Sequence, residues 1–207
     1  MSKSLPLLQI KHLSRATFEP LTLAVAAGEC VCVYGPSGTG KSQILRAIAE
    51  LDPSEGELLL DGVPSDAMSP AEWRRQVGLL PPESSWWLPT PGEHFHNGMP
   101  VPLERLGLGE DILARPVVRL SSGEKQRLAL MRLLANHPRV LLLDEPTANL
   151  DPENTHRVEA LIDAYRREHR AAVLWVSHDR EQVERVADRC LTVGNGEIRE
   201  QAVQANR

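Results

Sequence analysis

The stretch Gly35-Pro36-Ser37-Gly38-Thr39-Gly40-Lys41-Ser42 follows the apolar run Cys30 to Tyr34 and precedes a helical pattern. It fits the phosphate loop G-x-x-x-x-G-K-[ST], in which glycines let backbone N–H groups turn toward phosphates at a helix start. We expect these residues to contact nucleotide phosphates, with Lys41 on the β- and γ-phosphate oxygens and Ser42 on Mg²⁺. A glycine-rich turn with an incidental lysine is the alternative, and the flanking strand and helix weigh against it.

A second motif, Val140-Leu141-Leu142-Leu143-Asp144-Glu145, is an apolar run that ends in two acids. Such a run is typical of a buried parallel strand, and α/β proteins bind ligands at the carboxyl ends of these strands. We therefore expect Asp144 to join the Mg²⁺ shell and Glu145 to act as the base that orients and polarises the attacking water. A solvated turn before Pro146 is the alternative.

The order of segments along the chain predicts the architecture. Short apolar runs alternate with helical stretches at 41–50 and 153–167, which indicates a parallel sheet with crossover helices. Residues 7–25 and 56–60 favour an antiparallel β-layer, and the end of the chain favours a hairpin around Asn195-Gly196. The many prolines between residues 81 and 116 argue against long helices there. The helix-forming residues and the apolar stripe of 121–135 predict a helix.

Composition bounds the class of protein. The chain of 207 residues, with 42% hydrophobic and 25% charged residues, suits one globular domain spanning 1–207. A net charge of -5 gives no general attraction for nucleic acid, and no apolar run approaches the roughly 18 residues that span a bilayer. We therefore expect no nucleic-acid partner and no direct membrane insertion. The N-terminus has no secretory signal pattern, which indicates a cytoplasmic location.

Other candidate metal or redox residues are few. Cys30, Cys32 and Cys190 form no C-x-x-C pair, and we expect buried thiols, with the first two on one face of a strand. The segment His94-Phe95-His96 has no cysteine or acidic partner at ligand spacing, so we expect a loop rather than a metal site.

Between the two nucleotide motifs stands Leu120-Ser121-Ser122-Gly123-Glu124-Lys125-Gln126-Arg127. Ser121 and Glu124 have the spacing of a capping box, which by itself would only begin a helix. The segment also resembles the LSGGQ signature of the ATP-binding-cassette (ABC) ATPases. That resemblance implies that Ser121 and the Gly123 N–H face the γ-phosphate held by the opposite subunit, which is anion binding at a helix N-terminus.

Two later segments extend the resemblance over essentially the whole chain. Ala148-Asn149-Leu150-Asp151 looks like the family's D-loop, although Asp151 is also a candidate helix cap. His178 follows the apolar run Ala172 to Val176 and resembles the switch histidine that contacts the γ-phosphate. By itself, a histidine after a strand is more often structural, and the order of the motifs favours the switch.

The chain departs from the family pattern at several positions. Gln43 follows Ser42 where the family commonly has threonine, and we count it with the nucleotide-binding residues. The family stacks an aromatic ring on adenine from an early loop. Phe18 is the aromatic residue available here, with a core position as the equal alternative. Pro82 stands where the family has its Q-loop glutamine, which leaves Glu83 as a candidate substitute ligand.

The resemblance implies a fold class of α/β, with a phosphate-loop core, a parallel sheet, an N-terminal antiparallel β-layer and a shortened helical subdomain at about 83–136. It implies an ATPase that uses ATP and Mg²⁺ and forms a nucleotide-dependent head-to-tail homodimer. Membrane-spanning permease subunits are the implied partners, so the chain would be peripheral on the inner face of the cell membrane. Trp86 and Trp87 are candidate anchors for them, with a pair packed under the proline-rich loop as the equal alternative. The segment 172–179 resembles bacterial cassettes of metal-ion export, particularly iron.

Two other functions remain as alternatives. One is a soluble ABC ATPase that acts on a protein assembly of the iron–sulfur scaffold type, without a membrane partner. The other is a regulatory nucleotide binder that does not hydrolyse, which the four polar residues Lys41, Asp144, Glu145 and His178 disfavour. The transported substrate and the direction of transport do not follow from the sequence.

Overall fold

A computed structural model describes residues 6–95, 103–194 and 197–202. Its strands are β1 (Leu8–Arg15), β2 (Phe18–Val25), β3 (Cys30–Tyr34), β4 (Glu55–Leu60), β5 (Val63–Pro64), β6 (Val77–Leu80), β7 (Val140–Asp144), β8 (Ala172–Ser177), β9 (Arg189–Gly194) and β10 (Glu197–Ala202). Its α-helices are α1 (Lys41–Ile48), α2 (Pro70–Gln76), α3 (Ser122–Leu134), α4 (Pro152–Glu168) and α5 (Arg180–Val186).

The strands form two sheets. One is antiparallel, in the order β2-β1-β4-β5, and the other has six strands in the order β10-β9-β3-β8-β7-β6. Strands β9, β3, β8, β7 and β6 run parallel to one another, and β10 is antiparallel to β9. The predicted parallel sheet and antiparallel β-layer are therefore confirmed. The pair β9 and β10 is the predicted hairpin, whose turn at 195–196 lies outside the described residues.

The central parallel strands are buried on both faces. Successive residues of each strand alternate between two apolar clusters, because side chains on a strand point to opposite faces. Leu142 packs with the antiparallel sheet, α1 and α2, whereas Leu141 and Leu143 pack with α3 and α4. The continuous apolar runs of β3, β7 and β8 follow from this double burial.

The three cysteines follow the expectation of buried thiols. Cys30 and Cys32 lie in the same apolar cluster on one face of β3, and Cys190 on β9 is the register neighbour of Cys32. All three are free and buried. A hydrogen bond with Cys30 and burial raise the pKa of Cys32, so its thiolate is disfavoured.

Side-chain caps begin α2, α3, α4 and α5, and those of α3 and α4 lie in motifs identified from the sequence. Ser121 and Glu124 form the predicted capping box at α3, with the Ser121 N–H donating to the Glu124 carboxylate at 2.8 Å. Asp151 accepts from the Asn154 N–H at 2.9 Å and begins α4, where Pro152 takes the first helical position. Both Ser121 and Asp151 therefore cap helices, as the sequence allowed.

The proline-rich segment before α3 contains short 3-10 helices, in line with the prediction that long helices are absent there. They are Pro91–His94, Leu103–Leu106, Glu110–Ala114 and Val117–Arg119, and in the described parts of 83–121 they are the only helices before α3 begins at Ser122. None of the helices that the structure describes has the length and apolar character needed to traverse a lipid bilayer.

The Tyr165 hydroxyl ties α4 to the chain that enters β7. It is buried and donates to the Pro138 carbonyl at 2.9 Å. We expect Tyr165→Phe to lower the free energy of unfolding by about 1–2 kcal/mol, because a buried carbonyl loses its partner. Urea unfolding measured by circular dichroism tests this. A loss below about 0.5 kcal/mol would contradict it, since that is less than one typical hydrogen bond contributes.

Candidate functional site

The phosphate loop lies between β3 and α1 with the backbone that its glycines permit. Gly38 and Gly40 have φ of 80° and 90°, which residues with a side chain rarely adopt. A Cβ on Gly35 would collide with the Val193 carbonyl of β9. The Thr39 hydroxyl donates to the Pro36 carbonyl at 3.0 Å and closes the loop. The loop therefore bends back over the end of the sheet.

Lys41 extends into this loop from the first position of α1. Its side chain is buried and its Nζ donates to the carbonyls of Gly35 at 2.8 Å and Pro36 at 2.7 Å. Burial lowers the pKa of Lys41, while the nearby carboxylates of Glu145 and Asp144 act to raise it. The ammonium group is thus held between the loop and the two acids.

Asp144 ends β7 beside the same loop. It is 4% exposed, and its carboxylate has a hydrogen bond with the hydroxyl of Ser42, which is exposed on the first turn of α1. Burial raises the pKa of Asp144, and the Ser42 hydrogen bond and the charge of Lys41 only partly offset that effect. The structure therefore brings together Lys41, Ser42 and Asp144.

Glu145 and His178 form a pair at the same edge of the sheet. Glu145 Oε1 lies 3.1 Å from His178 Nδ1, with side chains 26% and 58% exposed. Glu145 has a φ of 47°, a strained value for a residue with a side chain, and its N–H donates to the Val176 carbonyl at 3.1 Å. The pair lines a cavity of about 220 Å³ together with Thr147, Ser177 and Gln182.

Ser121 and Gly123 belong to another part of the fold. Gly123 packs closely against the Asn149 carbonyl, and Arg127 donates to the Asn154 side chain at 2.6 Å. In the described part of the chain, no hydrogen bond or ion pair joins Ser121 or Gly123 to Lys41. The signature segment contacts the D-loop segment of its own chain.

Phe18 does not fit the expectation that it stacks on adenine. Its side chain is 6% exposed and lies in the apolar cluster beneath the antiparallel sheet. The reason is the short turn: Arg15 on β1 pairs directly with Phe18 on β2, so Phe18 begins a strand with its ring directed inward. The Thr17 carbonyl next to it lies against Gly40. The core alternative is the one observed.

Three other candidate residues, Gln43, Pro82 and Glu83, lie close to this edge of the sheet. Gln43 is partly buried, and its Oε1 has no hydrogen-bond partner among the described residues. Pro82 and Glu83 are exposed and follow β6, the neighbour of β7. Their position puts them at the edge of the sheet that carries Asp144.

His94 is a structural residue. It is 5% exposed, accepts a hydrogen bond from the Leu88 N–H at 3.2 Å, and packs its ring between Trp86 and Trp87. The guanidinium of Arg132 stands over both tryptophan rings at 4.5 and 4.9 Å. His96 lies outside the described residues, within which no cluster of metal-ligating side chains occurs.

The buried polar residues behind the Glu145–His178 pair were not expected from the sequence. Gln182 on α5 hydrogen-bonds to Ser177, Thr147 and Glu159, and Arg185 forms an ion pair with Glu159. Gln182 and Arg185 are far in sequence from Thr147 and Glu159 and carry no motif, so only the contacts of α5 with α4 and with the turn after β7 reveal them.

The raised pKa of Asp144 predicts a pH-dependent effect of Asp144→Asn. The folded wild type binds this proton more tightly than the unfolded chain, so the wild type loses stability from this group as pH rises above the unfolded value of about 3.9. We expect the stability of the variant relative to wild type to increase as pH rises from about 4. Parallel urea titrations of the two proteins measure this difference. A difference that is constant or falls with pH would contradict the cause assigned here.

Known proteins resemble the chain in sequence and in structure. A family model described as ABC transporter matches residues 18–148, more than half of the chain. The probable iron export ATP-binding protein FetA of Escherichia coli (strain K12) is 35% identical over 211 residues, which cover 93% of each protein. The aliphatic sulfonates import ATP-binding protein SsuB 1 of Pseudomonas fluorescens is 40% identical over 191 residues, covering 90% of this chain and 71% of that protein.

A solved structure has the same fold. The ATP-binding cassette MJ0796, in a dimeric post-hydrolysis state bound to ADP and Pi, matches with a TM-score of 0.82 and 26% identity, covering 95% of this chain and 99% of that one. The phosphate loop, the acidic strand end and the histidine after β8 occupy one edge of this shared fold. The chain therefore belongs to the ABC transporter family, as one of its ATP-hydrolysing, ATP-binding subunits.

Proposed function

We propose that the chain is the ATPase subunit of a membrane transporter and couples Mg-ATP-driven dimerisation and hydrolysis to transport. The observation that carries the proposal is the Glu145–His178 contact of 3.1 Å at the sheet edge that also holds Lys41 and Asp144. A carboxylate held by a histidine beside a phosphate loop has the chemistry to act on a water next to a terminal phosphate. Family membership supports ATP as the nucleotide.

Lys41 and the loop amides from Gly35 to Gly40 would bind the phosphates of ATP. The Ser42 hydroxyl and the Asp144 carboxylate would hold Mg²⁺, because hard oxygen ligands suit this ion and the two groups already contact each other. The ion would neutralise charge on the β- and γ-phosphates. The amide of Gln43, whose oxygen is buried with no hydrogen-bond partner in the described part of the chain, is a further polar group on this turn.

Glu145 would orient the attacking water, and His178 would fix the Glu145 carboxylate and contact the γ-phosphate. The strained backbone of Glu145 supports this role, because such strain persists where neighbouring structure holds a residue for function. Glu145 and His178 are both partly exposed, so a substrate can reach them.

The second half of the site would come from another copy of the chain. The N-terminal end of α3 is exposed at Ser121 and carries a partial positive charge, but among the described residues no hydrogen bond joins it to Lys41 of its own subunit. In a head-to-tail homodimer, Ser121 and Gly123 of one subunit would face the γ-phosphate bound by Lys41 of the other. The relative MJ0796 is dimeric with ADP and Pi, which supports this arrangement.

A membrane-spanning partner would dock beside Trp86 and Trp87. Trp87 is 69% exposed, and a groove of about 370 Å³ next to it is lined by Leu80, Pro81 and Arg132. The groove has both apolar and arginine lining, and an exposed aromatic beside such a groove can anchor an interface. This partner would hold the chain at the inner face of the cell membrane.

The cargo differs among relatives. FetA is described as an iron export protein and SsuB 1 as an aliphatic sulfonates import protein, so similarity at 35–40% does not select a cargo or a direction. The alternative of an ABC ATPase that serves an iron–sulfur scaffold has no support from these relatives.

Glu145→Gln tests the catalytic proposal. We expect the variant to bind ATP like wild type and to hydrolyse it at least about 100-fold more slowly, because the general base is lost while the phosphate contacts remain. It should also accumulate as an ATP-bound dimer in light scattering. Phosphate release and fluorescent-nucleotide titration provide the measurements.

Lys41→Ala is the matched control for Glu145→Gln. It removes a charge-assisted phosphate contact and should weaken nucleotide binding itself. Wild-type hydrolysis by Glu145→Gln, or unchanged nucleotide affinity of Lys41→Ala, would refute the corresponding role.

Trp87→Ala tests the docking surface. We expect it to reduce co-purification of the membrane-spanning partner, while the ATPase activity of the isolated subunit stays at the wild-type level. Val63→Ala is the control, because Val63 is also exposed, at 44%, but lies on the antiparallel sheet. Equal co-purification of both variants with wild type would exclude Trp87 as an anchor.

A further inference from the structure

Gln182 uses both ends of its amide in a buried position behind the Glu145–His178 pair. The residue is 3% exposed, and its Oε1 accepts from the Ser177 hydroxyl at 3.0 Å. Its Nε2 donates to Thr147 Oγ1 at 2.9 Å and to Glu159 Oε1 at 2.9 Å. One side chain therefore makes three hydrogen bonds to three different segments of the chain.

Two of these segments carry the candidate catalytic residues. Thr147 lies two residues after Glu145, in the turn that follows β7. Ser177 immediately precedes His178 at the end of β8. Gln182 thus bridges the two loops whose side chains meet at 3.1 Å.

The orientation of the Gln182 amide follows from its third partner. Glu159 is 9% exposed and forms an ion pair with Arg185 at 2.9 Å. Burial raises the pKa of Glu159, but hydrogen bonds from Arg185 and Gln182 outweigh this effect and the pKa is lowered overall. An ionised carboxylate only accepts hydrogen bonds, so the NH₂ end of Gln182 must face Glu159. The carbonyl end is thereby directed to Ser177.

Ser177 transmits this orientation to the histidine. Its hydroxyl donates to Gln182, and its oxygen accepts the N–H of Asp179 at 3.0 Å. The bond from Asp179 spans His178, and the bond to Gln182 anchors the Ser177 hydroxyl. Together they hold the turn that carries His178. The buried chain of bonds from Glu159 through Gln182 to Ser177 therefore sets the backbone from which His178 extends.

We propose that Gln182 is a positioning residue, which keeps His178 and Glu145 aligned by bridging the loops that follow β7 and β8. The proposal rests on the catalytic roles given above to Glu145 and His178. Gln182 itself touches neither the nucleotide loop nor Lys41 in the described residues. Its loss should therefore impair the chemical step and leave ATP binding unchanged.

The test compares Gln182→Met with Val183→Ala in the full chain. Methionine keeps the volume of Gln182 but removes its amide, and we expect kcat for ATP hydrolysis to fall about 10-fold to 100-fold with the Kd for ATP unchanged. Val183 is buried on the same helix and makes only apolar contacts, so Val183→Ala should lower the melting temperature and keep kcat near wild type. Phosphate release, nucleotide titration and thermal melting are measured for each protein.

Exchanging the amide of Gln182 and the carboxylate of Glu159 tests whether kcat can be rescued. A rescue of kcat would not be expected if Gln182 only contributed stability. Gln182→Glu sets a second carboxylate against Glu159 and should lose activity. Adding Glu159→Gln to this variant again gives one carboxylate and one amide, now in exchanged positions. The Thr147 and Ser177 hydroxyls can donate to the carboxylate at position 182. We expect the double variant to recover kcat relative to Gln182→Glu. Ser177→Ala removes the bonds of Ser177 to Gln182 and Asp179 but leaves Gln182 bonded to Thr147 and Glu159, and it should reproduce the kcat loss if Gln182→Met fails to fold.

The outcomes separate this proposal from the function on which it rests. Unchanged kcat in Gln182→Met, or an equal kcat loss in Val183→Ala, overturns the positioning role. If Gln182→Met does not fold, unchanged kcat in Ser177→Ala overturns it. Full hydrolysis by Glu145→Gln in the same assay overturns the catalytic role of Glu145 instead.

Discussion

The parallel alignment of β3, β8 and β7 is the constraint on which the rest of the structure depends. Tyr34 pairs with Ser177, and Asp144 pairs with Val176, so three strands end at the same level of the sheet. Because parallel strands share one carboxyl edge, the phosphate loop, the acid pair and His178 emerge side by side. A shift of one residue in this register would reverse the face of every side chain in a strand and separate these groups.

The double burial of these strands explains how the edge is held in place. Apolar clusters on both faces of the sheet leave the strand ends as the place where polar groups can gather. At that edge the fold tolerates unfavourable features, namely the buried Asp144 and the strained backbone of Glu145. Such features are stable only when the surroundings determine them strongly, which the two packed faces do.

The central strands and the phosphate loop could be predicted because their signals are local. The run from Val140 to Asp144 is continuous and apolar, and the loop before Lys41 has a backbone that only its glycines allow. For Phe18 the sequence left stacking and core positions open, and the structure shows the core position because the short turn before it starts β2 at that residue and directs the ring inward. The contacts of Gln182 with Glu159 could not be predicted, since they require α5 to pack on α4 and follow no spacing rule.

The most direct test of the central claim is to mix two inactive variants. The claim is that each ATP site combines Lys41 of one subunit with Ser121 of the other. Ser121→Asp keeps a side chain that can cap α3 but would set a negative charge against the γ-phosphate in such a site, and Lys41→Ala would weaken phosphate binding. We expect each variant alone to hydrolyse ATP at background rate and the mixture to recover activity, because a mixed dimer contains one intact site. A mixture as inactive as its components, although differently tagged subunits co-purify as mixed dimers, would contradict the shared site.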